Sequence, residues 1–539
     1  MFMKLIINKL QSKIIIVILA LALFLRVYQL GTVPPSLSWD EVDVGYNAYT
    51  IANWFHDEWG NFLPLTFKSF GDYKRPVHIY STAVSVKILG LSEFSTRLPM
   101  AIYGVFNVLL LYFLAKRIFK NKWVGILAAL FLAISPFGLQ FSRFNHEANV
   151  ALFFFMLGVL TYFKGIEEKN YWLSFSFLGF GLSLLSYHSS TLVVPLLLFI
   201  LLLFFIKQLW QLKKQALIGF VVFSLFLSLF LVDSNLLGLA RLSQTSLPKE
   251  AIKNTNLYRQ THSDNLGFLE LSFNRYLSYL TLNYLFISGD EIARHSIQTV
   301  GEFYKIDALF LLTGLIGILL KRKKESLFIL AWVLTAPLPG SVSGGLTETA
   351  HAARGLFMMG SWHLISAYGC YIIFSLSKNK IYQRVFVTLV LAILVLSLKF
   401  YLEDYYGDYA RRYAIEWQYG YKQIADYIDQ HPNYSQVFIT KERHQPYAFM
   451  LFYLKVPLPD YLASVNYNKS ESYTYNLVSS FDQFHFGDWD PIQSMPSTGV
   501  LYILTPSEYD GLAHKKDFDV KKIVKYPNGT DAFYIVSAL

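Results

Sequence analysis

The chain has 539 residues, of which 54% are hydrophobic, 17% aromatic and 16% charged, and its net charge is +10. Apolar runs recur along the sequence instead of forming one core, which is typical of an integral membrane protein. Lys and Arg lie in short clusters between these runs, without a basic face or an RNA-binding motif, so nucleic-acid binding is not indicated. The single cysteine, Cys370, excludes an internal disulfide and a cysteine-based metal cluster.

The apolar runs predict membrane-spanning helices. The first run follows three lysines and resembles a signal peptide, but no small-residue cleavage site follows it, which indicates an uncleaved first helix. A span needs about 20 apolar residues, with about 17 to 25 allowed. Eleven stretches meet or nearly meet this length: 14–30, 98–115, 123–139, 148–163, 171–187, 191–206, 216–233, 306–320, 326–339, 355–376 and 385–401. The predicted fold is mainly α, a polytopic helical membrane protein with about 11 transmembrane helices.

Charge alternates between the connections and predicts their side of the membrane. Basic clusters follow the second, fourth, sixth, eighth and tenth spans and also precede the first. By the positive-inside rule these connections are cytoplasmic. The first outer loop, 31–97, the second long outer segment, 234–305, and the C-terminal segment are then extracytoplasmic. The predicted location is the plasma membrane, with multiple passes.

The extracytoplasmic segments have distinct patterns. In the first outer loop, Val77–Leu89 is too short to span and predicts an interfacial helix, as does the amphipathic run Phe268–Ile287 in the second segment. The C-terminal part predicts a helix over Tyr421–Gln430 and short strands. Those strands are expected at 436–440, 500–505 and 532–536. We expect a transmembrane catalytic domain over 1–401 and a small α/β extracytoplasmic domain over 402–539.

The stretch from Trp39 to Tyr46 carries three carboxylates, those of Asp40, Glu41 and Asp43, just after Pro34-Pro35 ends the first helix. A generic pair of acids in such a place is more often a solvated loop. Here the aromatic neighbours indicate a partly shielded pocket, in which a carboxylate can act as a base. We therefore predict a functional site at this stretch.

Two further elements of the same loop carry a family resemblance. Lys74-Arg75-Pro76-Val77 precedes the interfacial run, and Arg97-Leu98-Pro99 opens the next span. With Asp40-Glu41, they resemble the first-loop signature of the protein O-mannosyltransferase and lipid A aminoarabinose transferase superfamily, which are C-type glycosyltransferases (GT-C). Arg75 stands where that family commonly has proline. The resemblance covers roughly 14–400 and is most specific over 39–150.

The resemblance implies a polytopic glycosyltransferase that uses a polyprenyl-phosphate-linked monosaccharide, a mannose-like hexose or a related sugar, at the outer membrane face. Our hypothesis is that Asp40 is the catalytic base, with Glu41 positioning the acceptor or sharing the proton. The charge-based topology puts Asp40 on the same face independently. Lys74, Arg75 and Tyr46 are expected to bind substrate.

Polar side chains where other spans meet outside complete the predicted site. Arg143, His146 and Glu147 lie between the third and fourth spans, and Glu147 occupies a position where the family often has a second acid. The alternative role for Glu147 is that of a charge partner for the helix dipole, but more polar side chains cluster here than helix capping needs. His188 is either an interfacial residue or a donor contact. Asp40, Glu41 and Glu147 are candidate ligands for a divalent cation, without a helical ligand spacing to support one.

Two later clusters carry arginines suited to the donor phosphate. Arg294 follows the amphipathic run, and His351 and Arg354 directly precede the tenth span. A sugar-phosphate diester keeps a negative charge that arginine's planar fork can bind with two hydrogen bonds. The resemblance favours Arg354, because the family tends to place an arginine before this late helix. The alternative is an interfacial positive charge that reaches the lipid headgroups.

Alternatives differ in the acceptor and in the class of function. The acceptor is either a serine or threonine of a protein, or a lipid or cell-envelope glycan. A transporter or flippase of lipid-linked sugars would instead place functional charges near mid-membrane and show inverted symmetry. A non-enzymatic envelope scaffold would leave the first-loop signature unexplained.

Overall fold

The structure is a computed structural model that describes residues 2–346, 349–468, 477–487 and 496–539. The α-helices in chain order are α1 (Phe2–Val27), α2 (Trp39–Trp54), α3 (Pro76–Leu89), α4 (Glu93–Ile118), α5 (Lys122–Ile134), α6 (Pro136–Gln140), α7 (Glu147–Glu168), α8 (Trp172–Leu184), α9 (Ser190–Phe204), α10 (Ile206–Gln211), α11 (Lys213–Val232), α12 (Leu239–Thr245), α13 (Lys249–Lys253), α14 (Asn256–Thr261), α15 (Asp264–Ser278), α16 (Asp307–Lys321), α17 (Lys324–Thr335), α18 (Leu338–Ser341), α19 (Met358–Leu376), α20 (Lys380–Tyr406), α21 (Asp408–Arg412), α22 (Tyr421–Gln430), α23 (Pro446–Tyr453), α24 (Leu458–Ser464) and α25 (Pro506–Asp510). The strands are β1 (Phe67–Ser69), β2 (Asp72–Lys74), β3 (Gln436–Thr440), β4 (Asn466–Tyr467), β5 (Val478–Phe481), β6 (Phe484–Gly487), β7 (Val500–Leu504), β8 (Phe518–Lys525) and β9 (Asp531–Ala538).

Each predicted apolar stretch overlaps one or two of these helices, and some helices are shorter than predicted. Pro136, which has no backbone N–H, divides the stretch 123–139 into α5 and α6, and Ser135 caps the second helix. Within the described residues, four helices are long and apolar enough to cross a membrane: Glu93–Ile118, Glu147–Glu168, Lys213–Val232 and Lys380–Arg412. The mainly helical membrane fold is confirmed, whereas the count of eleven crossings stays a prediction.

The chain divides into two compact units. We call residues 1–28 and 100–404 the helical unit, and residues 29–99 and 405–539 the sheet unit. The first outer loop therefore belongs to the same compact unit as the C-terminal segment. The predicted division into 1–401 and 402–539 did not anticipate this grouping. The assignment of a catalytic domain and an extracytoplasmic domain to those ranges stays a prediction.

Two buried arginines hold the ends of the first helices in the helical unit. Arg26 donates to the carbonyls of Leu132 and Ala133, at 3.2 and 3.0 Å, which lie at the end of α5. Arg143 donates to the carbonyls of Leu25 and Tyr28, at 2.7 and 2.8 Å. The last carbonyls of a helix have no partner inside it, so these guanidinium groups satisfy them. Arg143 is 1% exposed, which favours this structural role over the predicted contact with substrate.

The described part of the sheet unit contains a mixed sheet in the order β4-β5-β6-β3-β7-β9-β8. β3 pairs in parallel with β6 and β7, and the flanking pairs are antiparallel. Every residue of β7 is buried, as expected for a central strand. The predicted C-terminal α/β domain is confirmed: β3, β7 and β9 lie at the predicted strands, and α22 has the predicted bounds.

One hydrophobic core holds α2 and α3 against the sheet. It joins Val42 and Tyr46 of α2 to residues of α22, α23 and β3. Gly45 lies so close to α23 that an added Cβ would overlap the ring of Phe452. The stretch with the three acids is therefore a rigid helix in the core of the sheet unit, because its apolar positions pack against α23.

Candidate active site

Asp40 lies in the first turn of α2. Ser38 caps this helix in a capping box with Glu41, whose backbone N–H donates to the serine hydroxyl while its carboxylate accepts from the Ser38 N–H at 3.0 Å. The Lys74 ammonium lies 2.5 Å from Asp40 Oδ1. The Asp40 side chain is 47% exposed, whereas that of Lys74 is 13% exposed. A negative charge is favourable at a helix N-terminus, so Asp40 is fixed in place and remains accessible.

Glu41 is fully buried and forms an ion pair with Arg97. Arg97 Nε lies 2.9 Å from one carboxylate oxygen, and its terminal nitrogen Nη2 lies 3.2 Å from the other. The same guanidinium donates to three backbone carbonyls, those of Leu30, Pro34 and Ser36. Glu41 has no exposed surface that could meet an acceptor or a metal ion. This geometry favours a structural role for Glu41 over the predicted catalytic one.

Asp43 begins a buried polar network one helical turn after Asp40. It accepts a hydrogen bond from Ser69 Oγ at 2.8 Å, and the Asn47 amide donates to its backbone carbonyl at 3.0 Å. Asn47 Oδ1 in turn accepts from the backbone N–H of Glu58 at 3.0 Å. The sequence analysis assigned no role to Ser69, Asn47 or Glu58. The spacing of four residues between Asp43 and Asn47 was the available signal, because it puts both on one helix face.

Burial raises the pKa of Asp43 to about 7, while the Lys74 charge and the Ser69 hydrogen bond lower it. Burial also raises the pKa of Glu58 well above its usual value, with the charges of Asp43 and Asp57 acting in the same direction. Two acids in one dry region resist simultaneous ionisation. At neutral pH this network therefore holds at least part of a proton beside Asp40.

The other predicted residues of the first loop have different surroundings. The β1–β2 hairpin ends at Lys74, which reaches Asp40. Arg75 is the buried N-cap residue of α3, directly before Pro76. The hydroxyl of Tyr46 donates to the carbonyl of Val456 at 3.1 Å, and its ring is buried. Lys74 is thus placed for chemistry with Asp40, whereas Arg75 and Tyr46 support the fold around it.

In the helical unit, the structure brings together several residues that are distant in sequence. The rings of His146 and His295 are 6.1 Å apart, and those of His295 and His351 are 4.7 Å apart. His146 caps α7, accepts from the N–H of Ala148, and lies 3.8 Å from the Glu147 carboxylate. Glu147 is the first residue of α7, where a negative charge interacts favourably with the helix dipole. This position agrees with the alternative interpretation of Glu147 as a dipole partner.

Asp290 anchors this cluster. Its carboxylate lies 2.8 Å from His295 Nδ1 and accepts from the N–H groups of Ala352 and Ile292 at 2.6 and 2.8 Å. Ligand atoms of Asp290, His295 and His351 lie within 4.8 Å of one another, and their O, N, N set is one that zinc accepts. The Asp290 carboxylate is already engaged in three hydrogen bonds, however. These hydrogen bonds favour a structural role, in which Asp290 joins its own loop to the loop that contains Ala352, over a metal site.

A cavity of about 240 Å³ in the helical unit is lined by two arginines, Arg241 and Arg354, together with Tyr187 and His188. Burial and the Arg354 charge lower the pKa of His351 well below its usual value. Positive charge of this kind disfavours a bound cation and favours an anion.

Arg241 was missed in the sequence analysis. It lies on α12, and the cavity unites it with Arg354 from a distant segment. Arg294 does not line this cavity; its backbone carbonyl accepts a hydrogen bond from the Gln140 amide at 2.8 Å. Of the two predicted phosphate ligands, Arg354 therefore has the surroundings that an anion needs.

Comparisons with known proteins identify the fold. ArnT from Cupriavidus metallidurans, in a structure bound to undecaprenyl phosphate, is similar with a TM-score of 0.58 at 14% identity, over 97% of both chains. The oligosaccharyltransferase of Archaeoglobus fulgidus, in a structure tethered with an acceptor peptide, is similar with a TM-score of 0.51 at 15% identity, over 97% of this chain and 74% of the other. This chain shares the fold of these two proteins.

Sequence relatives agree with the predicted GT-C resemblance. Residues 73–231 match the family model described as "Dolichyl-phosphate-mannose-protein mannosyltransferase". The Bacillus subtilis protein described as "Putative mannosyltransferase YkcB" is 30% identical over 176 residues, which are 31% of this chain and 23% of the relative. "Putative mannosyltransferase YycA" of the same organism is 27% identical over 244 residues, 45% of this chain and 34% of the relative. These alignments span less than half of each relative. Together, the family model and the relatives confirm the predicted resemblance.

Proposed function

We propose that this membrane protein transfers a monosaccharide from a polyprenyl-phosphate donor to a hydroxyl group at the outer membrane face. The observation that carries the proposal is the geometry at Asp40. Its carboxylate is exposed at the start of a helix and is held by Lys74 at 2.5 Å, while the two acids that follow it, Glu41 and Asp43, are buried. Of these three acids, Asp40 is the one that a substrate can reach.

Asp40 acts as the general base in this proposal. It accepts the proton of the acceptor hydroxyl while the hydroxyl oxygen forms a bond to the anomeric carbon of the sugar. The bond between that carbon and the phosphate oxygen breaks, and its electron pair leaves with the polyprenyl phosphate. A positioned base contributes about 10²- to 10⁴-fold in rate. The predicted single displacement inverts the anomeric configuration.

The buried neighbours of Asp40 hold it in position. The Arg97 guanidinium donates five hydrogen bonds, two to Glu41 in the first turn of α2 and three to backbone carbonyls of the segment before it. Lys74 orients the Asp40 carboxylate from the other side. A base that is held in this way needs little reorganisation before proton transfer. The proposal therefore gives Glu41 and Arg97 positioning roles.

The donor phosphate is assigned to the cavity with Arg354 and Arg241. Two guanidinium groups offer paired, charge-assisted hydrogen bonds to a phosphate and stabilise the charge that grows on the leaving group. His188 lines the same cavity and is an additional donor contact. The structure of ArnT with undecaprenyl phosphate supports a lipid-phosphate donor, since that protein shares the fold. The sugar and the class of hydroxyl acceptor are left to the assay.

The test is a donor and acceptor screen with the purified full-length protein. Labelled polyprenyl-phosphate hexoses and pentoses are offered with serine- and threonine-containing peptides, and separately with glycan and lipid acceptors. The proposal expects label to reach one acceptor class with wild-type protein. The Asp40→Asn variant should transfer little, whereas Asp482→Asn, at an exposed turn of the sheet unit, should match wild type. Transport of the donor across vesicle membranes without transfer would contradict the proposal and favour a flippase.

A further inference from the structure

The helical unit has a larger cavity, of about 860 Å³, at the other end of α7 from Glu147. α7 has 22 residues, so at about 1.5 Å per residue its ends are roughly 30 Å apart. Its cationic lining residues come from α4, α5 and α7 and from the connection between the first two: Lys116, Arg117, Lys120, Lys122 and Lys164. None of them takes part in the proposed transfer reaction.

The two acidic residues of this cavity both pair with Arg117, and Lys120 lies 3.9 Å from one of them, Glu167. Arg117 donates to Glu167 at 2.5 Å and to Glu168 at 3.2 Å. Lys164 Nζ lies 3.8 Å from the centre of the Trp172 ring, in a cation–π contact. Two carboxylates against five cations leave an excess of three positive charges in the lining. The cavity therefore attracts an anion.

An apolar wall continues from the charged end along the same helices. Leu109 and Phe113 of α4 precede Lys116 and Lys120 with helical spacing, and Leu157 and Leu160 of α7 precede Lys164 in the same way. Phe113 is 41% exposed. Both helices are long and apolar enough to cross a membrane. A bound molecule can thus place a charged group among the lysines and an apolar chain against this wall.

We propose that this cavity binds an anionic phospholipid. The lipid phosphate lies among Lys116, Lys120 and Lys164, and one acyl chain lies against the leucines and Phe113. Basic pockets at the ends of membrane helices recognise lipid headgroups in this way. The volume falls within the roughly 300–1,000 Å³ of ligand sites. A soluble phosphate would use the charges but not the wall, and a zwitterionic lipid would use the wall but not the excess charge.

Native mass spectrometry of the full-length protein in detergent tests this site with two probes, phosphatidylglycerol and phosphatidylcholine. Wild type should retain phosphatidylglycerol at least about tenfold more tightly than phosphatidylcholine. The double variant K116Q/K164Q should lose this preference, since each lysine near a headgroup contributes to anionic lipid binding. The control K213Q/K214Q removes the same charge from exposed lysines outside the cavity and should behave like wild type.

A third variant tests the contribution of the apolar wall without changing the charge of the cavity. Leu160→Trp places a larger side chain into the groove and should weaken phosphatidylglycerol binding severalfold. Size-exclusion profiles and helical circular dichroism identify any variant that fails to fold, and the remaining variants then decide the question. Equal binding of the two lipids by wild type, unchanged binding by folded K116Q/K164Q, or displacement of the lipid by millimolar inorganic phosphate would each overturn the proposal.

Discussion

The buried pair of Glu41 and Arg97 makes a prediction that separates structure from catalysis. Glu41→Gln removes the negative charge but keeps one acceptor oxygen, so the buried Arg97 guanidinium loses its counter-charge while hydrogen-bond acceptors remain around it. Breaking a buried pair from one side costs about 3 to 5 kcal/mol. Arg97 keeps the carbonyls of Leu30, Pro34 and Ser36, so we expect a loss near the lower value, about 3 kcal/mol.

The assay is thermal or chemical unfolding of the purified protein in detergent, with transfer activity measured on the folded fraction. Glu93→Gln is the matched control, because Glu93 forms an ion pair with Lys422 at 2.7 Å in which the lysine side chain is 49% exposed. Such a pair contributes at most about 1 kcal/mol. If Glu41→Gln unfolded like wild type, the predicted structural contribution of the Glu41–Arg97 pair would be wrong.

Four further variants test other parts of the structure. The pKa of Asp43 is about 7 in the folded protein against an ordinary value of 3.8, so between these pH values the folded protein binds a proton that the unfolded chain has released. The free energy of unfolding should therefore fall by up to about 4 kcal/mol as pH rises across that window. Asp43→Asn should flatten this pH dependence in unfolding curves. Arg354→Gln should raise KM for the donor at least about tenfold, with Arg241→Gln having a smaller effect, in steady-state transfer assays. Gly45→Ala should lower the unfolding midpoint, because its Cβ would overlap the ring of Phe452, and an unchanged midpoint would contradict the packing of α2.

The sequence predicted the helices well because long apolar runs have few other stable states. Even there, the boundary at Pro136 depended on a local cap at Ser135. In the C-terminal domain, β3 and β7 are β-branched and apolar and were predicted, whereas β6 was missed. Its four residues, Phe484–Gly487, are too short for a clear alternating pattern.

The candidate site was partly predictable. Asp40 and Lys74 were predicted from their motifs. The structure shows that they are in contact, and the role of Asp40 as a base stays a prediction. The burial of Glu41 was not predicted, because it depends on Arg97 reaching back from 56 positions later in the chain. Arg241 was missed for a similar reason: its pairing with Arg354 arises only when distant segments line one cavity. Single-residue patterns carry little information on such contacts.

The transfer rate of the Asp40→Asn variant tests the central claim most directly. With a donor that wild type uses, single-turnover measurements at saturating acceptor report the chemical step. The proposed base predicts that folded Asp40→Asn is slower by about 10²- to 10⁴-fold while donor binding is kept. Transfer by folded Asp40→Asn at the wild-type rate would contradict the assignment of Asp40 as the base.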